Sequence, residues 1–166
     1  DVVRALNDRD DSPLHGEIKL LGVGRGRVAQ APLAQELKKL FASDAFGGPR
    51  RSASFRDDSK RFFVNYLKQV SIVFGAAWGG RKYSVRSATA LRAFIRVAPD
   101  VIQKIDQHHA DRTDYRAIGR VISPWGRRIG ALRFETDGAW KRQGTTVDNL
   151  TKELRLALQY PEGAAG

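Results

Sequence analysis

A run of apolar positions between residues 57 and 80 constrains this chain more than any other feature. Phe62, Phe63, Tyr66, Leu67, Val70, Val73, Phe74 and Ala77 are separated by steps of one, three and four. That spacing lays a broad apolar stripe along about five turns of helix. A stripe of that width has to be covered by other elements. Asp57, Asp58 or Ser59 can cap its start, where acids also suit the positive end of the helix dipole. Gly79-Gly80 stops it. The reading is a long, central amphipathic helix.

The remaining periodicity supplies the cover. Residues 2–7 read as the tail of a helix, and 16–21 as a short strand. Pro32 suits the first residue of a helix carrying Leu33, Leu37, Leu40 and Phe41 on one face. Phe46 to Ser52 reads as a mobile loop. Ser84 or Ser87 caps a helix through Leu91, Phe94, Ile95 and Val97, and Pro99-Asp100 opens another with Val101, Ile102 and Ile105 inside. Thr113 caps a short helix through Ile118 and Ile122 that Pro124 ends. Residues 129–135 alternate apolar and polar, which predicts a strand. Asp137-Gly138 reads as a turn. Thr146 or Asp148 opens a last helix with Leu150, Leu154, Leu156 and Leu158, and 160–166 is a frayed tail. The expected fold is mainly α (α+β with one or two short strands), a compact multi-helix domain spanning 1–166.

Several classes are excluded by what the sequence lacks. Without cysteine there are no disulfides and no thiolate metal sites. No run approaches the roughly 18 apolar residues of a membrane helix, and no secretory signal is visible, so the expectation is a cytoplasmic protein with no membrane partner. There is no methionine, even at position 1, and Asp1-Val2-Val3-Arg4-Ala5-Leu6 reads like the interior of a helix. A fragment of a longer chain, with a segment upstream, is the expectation.

Charge points toward partners. The formal net charge is +11. Residues 1–17 hold five acids and two bases, so the remainder carries 27 bases against 13 acids. Between Arg50 and Arg96, eleven bases face only Asp57 and Asp58. Such an excess favours polyanions, above all nucleic acid.

The short motifs stand against that basic background. In Gly22-Val23-Gly24-Arg25-Gly26-Arg27-Val28, an arginine stands where the third glycine of a dinucleotide fingerprint belongs, and no Lys-Ser or Lys-Thr follows for a P-loop. It reads as a flexible turn carrying Arg25 and Arg27. Asp8-x-Asp10-x-Ser12 fails as a calcium loop because Pro13 replaces the glycine. His108 and His109 are adjacent, so on a helix they diverge by about 100 degrees and do not chelate together. No metal site and no cofactor is expected. Asp11 with Glu17-x-Lys19 fits loosely a nuclease centre that would hold Mg²⁺, and Glu135, Asp137 and Lys141 fit it less well. Each tryptophan is followed by cations: Trp78 by Arg81-Lys82, Trp125 by Arg127-Arg128, Trp140 by Lys141-Arg142. Indoles can stack on bases while the cations hold phosphates; equally, each indole can plug the core at the end of an element.

Leu6-Asn7, Asp11-Ser12-Pro13-Leu14 and Gly16-x-Ile18 resemble a stretch of the bacterial DGQHR-domain family. The later order is also similar: a long aromatic helix, Trp78 near its end, then Ser87 to Leu91. The resemblance implies a role in DNA-modification systems such as phosphorothioation or 7-deazaguanine insertion. It also implies an N-terminal part similar to ParB and sulfiredoxin folds, lying before Asp1. The naming pentapeptide is absent, and Asp106-Gln107-His108-His109 falls in a predicted helix. The expectation is therefore a DNA-contacting helical portion with no complete active site and no catalytic residue of its own. Arg25, Arg27, Arg50, Arg51, Arg81, Lys82, Arg127 and Arg128 would hold phosphates, and Trp78 and Trp125 would stack or support the surface. DNA is preferred to RNA, with the upstream part or other DNA-modification proteins as further partners. The alternatives are a metal-dependent nuclease or phosphoesterase, and a basic protein-docking domain.

Overall fold

The structure, a computed structural model, describes residues 2–20, 26–43 and 53–160. The expected loop at 46–52 and the tail at 161–166 lie outside the described residues, as do Arg25, Arg50 and Arg51. The mainly helical architecture is as the periodicity implies. In chain order the elements are α1 (Val2–Asp8), β1 (Ile18–Lys19), β2 (Val28–Ala29), α2 (Gln30–Ala42), α3 (Ala53–Phe74), α4 (Ala88–Gln107), α5 (Tyr115–Ile122), α6 (Pro124–Arg128) and α7 (Val147–Ala157). Short 3-10 turns follow α3 (Gly75–Ala77) and α6 (Ala131–Phe134), and a π-type turn spans Thr136–Trp140. Among the described residues no helix is long and apolar enough to cross a membrane.

α3 and α4 meet through rings. Tyr66 is fully buried, and its hydroxyl donates to the Phe94 carbonyl at 2.7 Å. Trp125 lies 6.2 Å from Tyr66 and 5.9 Å from Phe94, and Phe74 and Phe134 extend the cluster at 4.7 Å from each other. Burial, and after it the charge of Asp100, holds the Tyr66 phenol well above its ordinary pKa, so it remains a donor.

Four local expectations are corrected. Pro99 does not open a helix; it sits inside α4. Phe94, Ile95, Val97 and Ala98 before it and Val101, Ile102 and Ile105 after it are all buried. Burial worth about 1.5–3 kcal/mol per large side chain outweighs the roughly 3 kcal/mol cost of an interior proline. Residues 129–135 are not a strand. Arg133 and Phe134 are neighbours and both buried, which alternation forbids. The segment makes only a single antiparallel bridge, Glu135 with Tyr83. α3 starts at Ala53, so Asp57, Asp58 and Ser59 lie within it, and the Ser59 hydroxyl bonds back to the Phe55 carbonyl. α5 is capped by Asp114, which accepts from the Arg116 and Ala117 amides, not by Thr113. Ser87 and Thr146 do cap α4 and α7, Thr146 through a capping box with Asn149.

The residues that carry the family resemblance form one structural unit. Leu6, Ser12, Leu14 and Ile18 are buried. The Asn7 side chain accepts from the Ile18 amide at 3.0 Å, and its carbonyl accepts from Gly16, whose φ of +70° suits glycine. β1 then pairs in parallel with β2, Ile18 opposite Val28. Gly26 passes so close that a Cβ there would stand 2.3 Å from the Glu17 carbonyl oxygen. The last glycine of the basic turn thus serves backbone packing. Gly26→Ala should lower stability by about 1–3 kcal/mol, as overpacking does, measured by urea denaturation.

α2 is bound to α4 by a charge cluster that no motif announced. Glu36 is buried on α2 and accepts from Arg92 at 3.0 Å and from Arg96 at 2.6 Å. Arg96 also reaches Asp148 at the start of α7. Burial pushes the Glu36 carboxyl up, but the hydrogen bonds and charges of Arg96 and Arg92 outweigh it and hold the pKa below its ordinary 4.5. A depressed carboxylate stabilises fully above its unfolded pKa and loses that contribution as pH falls through the folded value. Glu36→Ala should cost about 2–3 kcal/mol near pH 7, less than a wholly buried pair because both arginines are partly exposed. The gap between Glu36→Gln and the parent in denaturant midpoint should narrow as pH falls across the acid range below about 4.5. A gap constant across that range would refute the linkage.

Candidate nucleic-acid interface

Folding sorts the charges. Several acids are engaged with arginines: Asp11 with Arg9, Glu17 with Arg86, Glu36 with Arg92 and Arg96, Asp100 with Arg155, Asp106 with Arg112, Glu153 with Arg133. Among the described residues, Lys104, Arg116, Arg120 and Arg127 make no ion pair, and Arg116, Arg120 and Arg127 are exposed on α5 and α6. Arg116 and Arg120 are one turn apart, so they project from the same face.

Next to that face lies a cleft of about 540 Å³, bounded by the end of α4, by α5 and by the end of α7. Lys104 and Arg120 supply its cations, His108 an imidazole, and Ile105, Val121 and Leu158 its apolar floor; among the described residues no carboxylate lines it. Tyr160 stands at its edge, and the Arg128 guanidinium lies over the Tyr160 ring at 3.6 Å.

The α4 terminus shapes one wall. The Ala110 amide bonds to the Ile105 carbonyl and the His109 amide to the Asp106 carbonyl. This is a Schellman ending with His109 in the left-handed region, φ 56°. Asp106-Gln107-His108-His109 therefore straddles the helix end rather than lying within the helix. The final carbonyls are already bonded to these amides. The helix's negative end is thus largely satisfied, which leaves the side-chain cations available to an outside anion.

The sequence candidates separate under this geometry. Arg27, Arg81, Lys82 and Arg127 are exposed. The Trp78 indole is half-buried and donates to the Pro13 carbonyl at 3.4 Å, tying the end of α3 to the acidic turn. Trp125 is corrected: at 0 % exposure it offers no face to a base, and its Nε1 donates to the Leu154 carbonyl at 2.9 Å. Trp140 packs on Phe134 and under Arg133. Trp125 plugs the core, while Trp78 and Trp140 are half-buried and pack against it at separate places. Lys104, Arg120, His108 and Tyr160 were missed. The one-turn spacing of Arg116 and Arg120 and the cluster of polar residues at the end of α4 were the available signals.

The two acids of the nuclease grouping are engaged elsewhere, while Lys19 is exposed. Arg9 holds both Asp11 oxygens at 2.9 Å. The Arg9 hydrogen bond, foremost, lowers the Asp11 pKa against a partial burial penalty. Glu17 faces Arg86 at 3.9 Å. Among the described residues no group of three or more His, Asp or Glu is arranged to hold a metal ion.

Comparison of the chain with protein families, with curated proteins and with solved structures returned no match.

His109→Gly should raise stability by about 1 kcal/mol, since glycine enters the left-handed region without the side-chain cost. Thermal or denaturant unfolding checks this; a destabilised His109→Gly would mean that the imidazole makes a contribution exceeding the strain.

Proposed function

We propose that this chain contacts nucleic acid through the exposed face of α5 and α6, as the DNA-binding helical part of a DGQHR-like protein in a DNA-modification system. One observation carries the contact: among the described residues Arg116, Arg120 and Arg127 are exposed without carboxylate partners, and Arg120 lines a cleft that also holds Lys104 and, among the described residues, no acid. A merely soluble basic protein would intersperse both signs over such a face. The DNA-modification context is supported by the sequence resemblance at Leu6 to Ile18, and DNA is preferred to RNA on the same ground. Protein docking through a bare helix stripe is less favoured, because Val2, Val3 and Leu6 of α1 are buried.

Counterion release gives the test. Binding to a mixed-sequence DNA duplex, followed by fluorescence anisotropy, should weaken steeply with salt. Arg116→Ser with Arg127→Ser should reduce the slope of log K against log salt by about 2, roughly one unit per lost phosphate contact. Absent binding at low salt, or binding indifferent to salt, would reject the reading.

A further inference from the structure

The cleft does not suit a duplex backbone alone. A phosphate-tracking surface needs only exposed cations, whereas this recess has an apolar floor, an aromatic edge and amides from Gln107 and Gln159 as well. Its volume falls within the roughly 300–1,000 Å³ that encloses a small organic ligand. Tyr160 is 41 % exposed and braced by Arg128, so a ring is presented in a fixed attitude to whatever enters. Lys104 on α4 and Arg120 on α5 approach from different elements, which suits an anion entering between them.

We propose that the cleft takes one unpaired nucleotide of a nucleic-acid strand, with the base against Tyr160 and the floor of Ile105, Val121 and Leu158, and the phosphate between Lys104 and Arg120. A paired base is stacked on both faces within its duplex and cannot enter. An unpaired one offers its π-face and its hydrogen-bonding edge together, and Gln107 and Gln159 can meet that edge. This rests on the nucleic-acid reading above and sharpens it from a charged face to a strand with an unpaired position.

The experiment compares a labelled single-stranded oligothymidylate with a duplex of the same length, at one low salt concentration, using the whole chain. Tyr160→Ala should weaken single-strand binding about tenfold while leaving duplex binding unchanged. Tyr160→Phe should retain it. Thymidine monophosphate should displace the single strand at concentrations where inorganic phosphate does not. Equal effects of Tyr160→Ala on both substrates, no effect on either, or displacement by phosphate alone would overturn the cleft assignment while leaving the α5–α6 contact standing. Failure of the unaltered chain to bind either substrate would overturn both. Tyr160 lies beyond the end of α7 and is exposed, so its truncation spares the core; unchanged unfolding of the variant would confirm that the effect is local.

Discussion

The hydrogen bond from the Tyr66 hydroxyl to the Phe94 carbonyl, with the rings packed around it, holds the molecule together. α3 and α4 are the two longest helices, and they face one another across aromatic side chains rather than by close approach of their backbones. A buried hydroxyl without a partner would cost roughly 1–3 kcal/mol. Here it is satisfied by a carbonyl of the facing helix, which fixes the relative position of the two. Trp125 fills the remaining space against both Tyr66 and Phe94. Once α4 is placed, α2 is bound to it through Glu36, α7 lies along it, and α5 folds back against α3 through Asn65 and Gln69, which donate to the Thr113 and Tyr115 carbonyls.

The helices were legible because their information is local. A stripe at steps of three and four, as at Phe62 to Phe74, states both the element and its buried face. What failed depended on partners distant in sequence. Nothing near Pro99 reveals that burial on both sides carries the helix through it. Nothing in 129–135 reveals that only Tyr83 is available for pairing. β2 went unread because two residues hold no periodicity, and its pairing depends on Gly26 approaching Glu17. The candidate site was legible only as excess charge. Lys104, Arg120 and Tyr160 lie on three elements, and no spacing rule connects them. The same holds for Glu36, which sits within an apolar helix face and shows its role only when Arg92 and Arg96 arrive.

The charge distribution follows from this packing. Acids brought into helix seams are neutralised by arginines that reach across them, as Glu153 is by Arg133 and Asp100 by Arg155. Each such pair removes one cation from the surface inventory as well as one anion. On α5 and α6 the arginines Arg116, Arg120 and Arg127 remain unpaired among the described residues, with the exposed Asp114 engaged as the α5 cap. Cations standing beside a low-dielectric recess, as Lys104 and Arg120 do, act more strongly on an anion there than the same charges on open surface.

The pairing of Trp125 with Arg127 and Arg128 in the sequence does bear on this surface, though by support rather than by stacking. The indole is buried and donates to the Leu154 carbonyl, which anchors α6 to α7. Arg128 follows three residues later on α6, and Tyr160 stands just past the end of α7. Fixing one helix against the other therefore sets the guanidinium over the phenol ring at the edge of the cleft. The core that begins at Tyr66 and Phe94 thus extends through Trp125 toward Tyr160 at the cleft edge. The placement of Arg128 over the Tyr160 ring therefore depends on the α6–α7 seam that Trp125 fills.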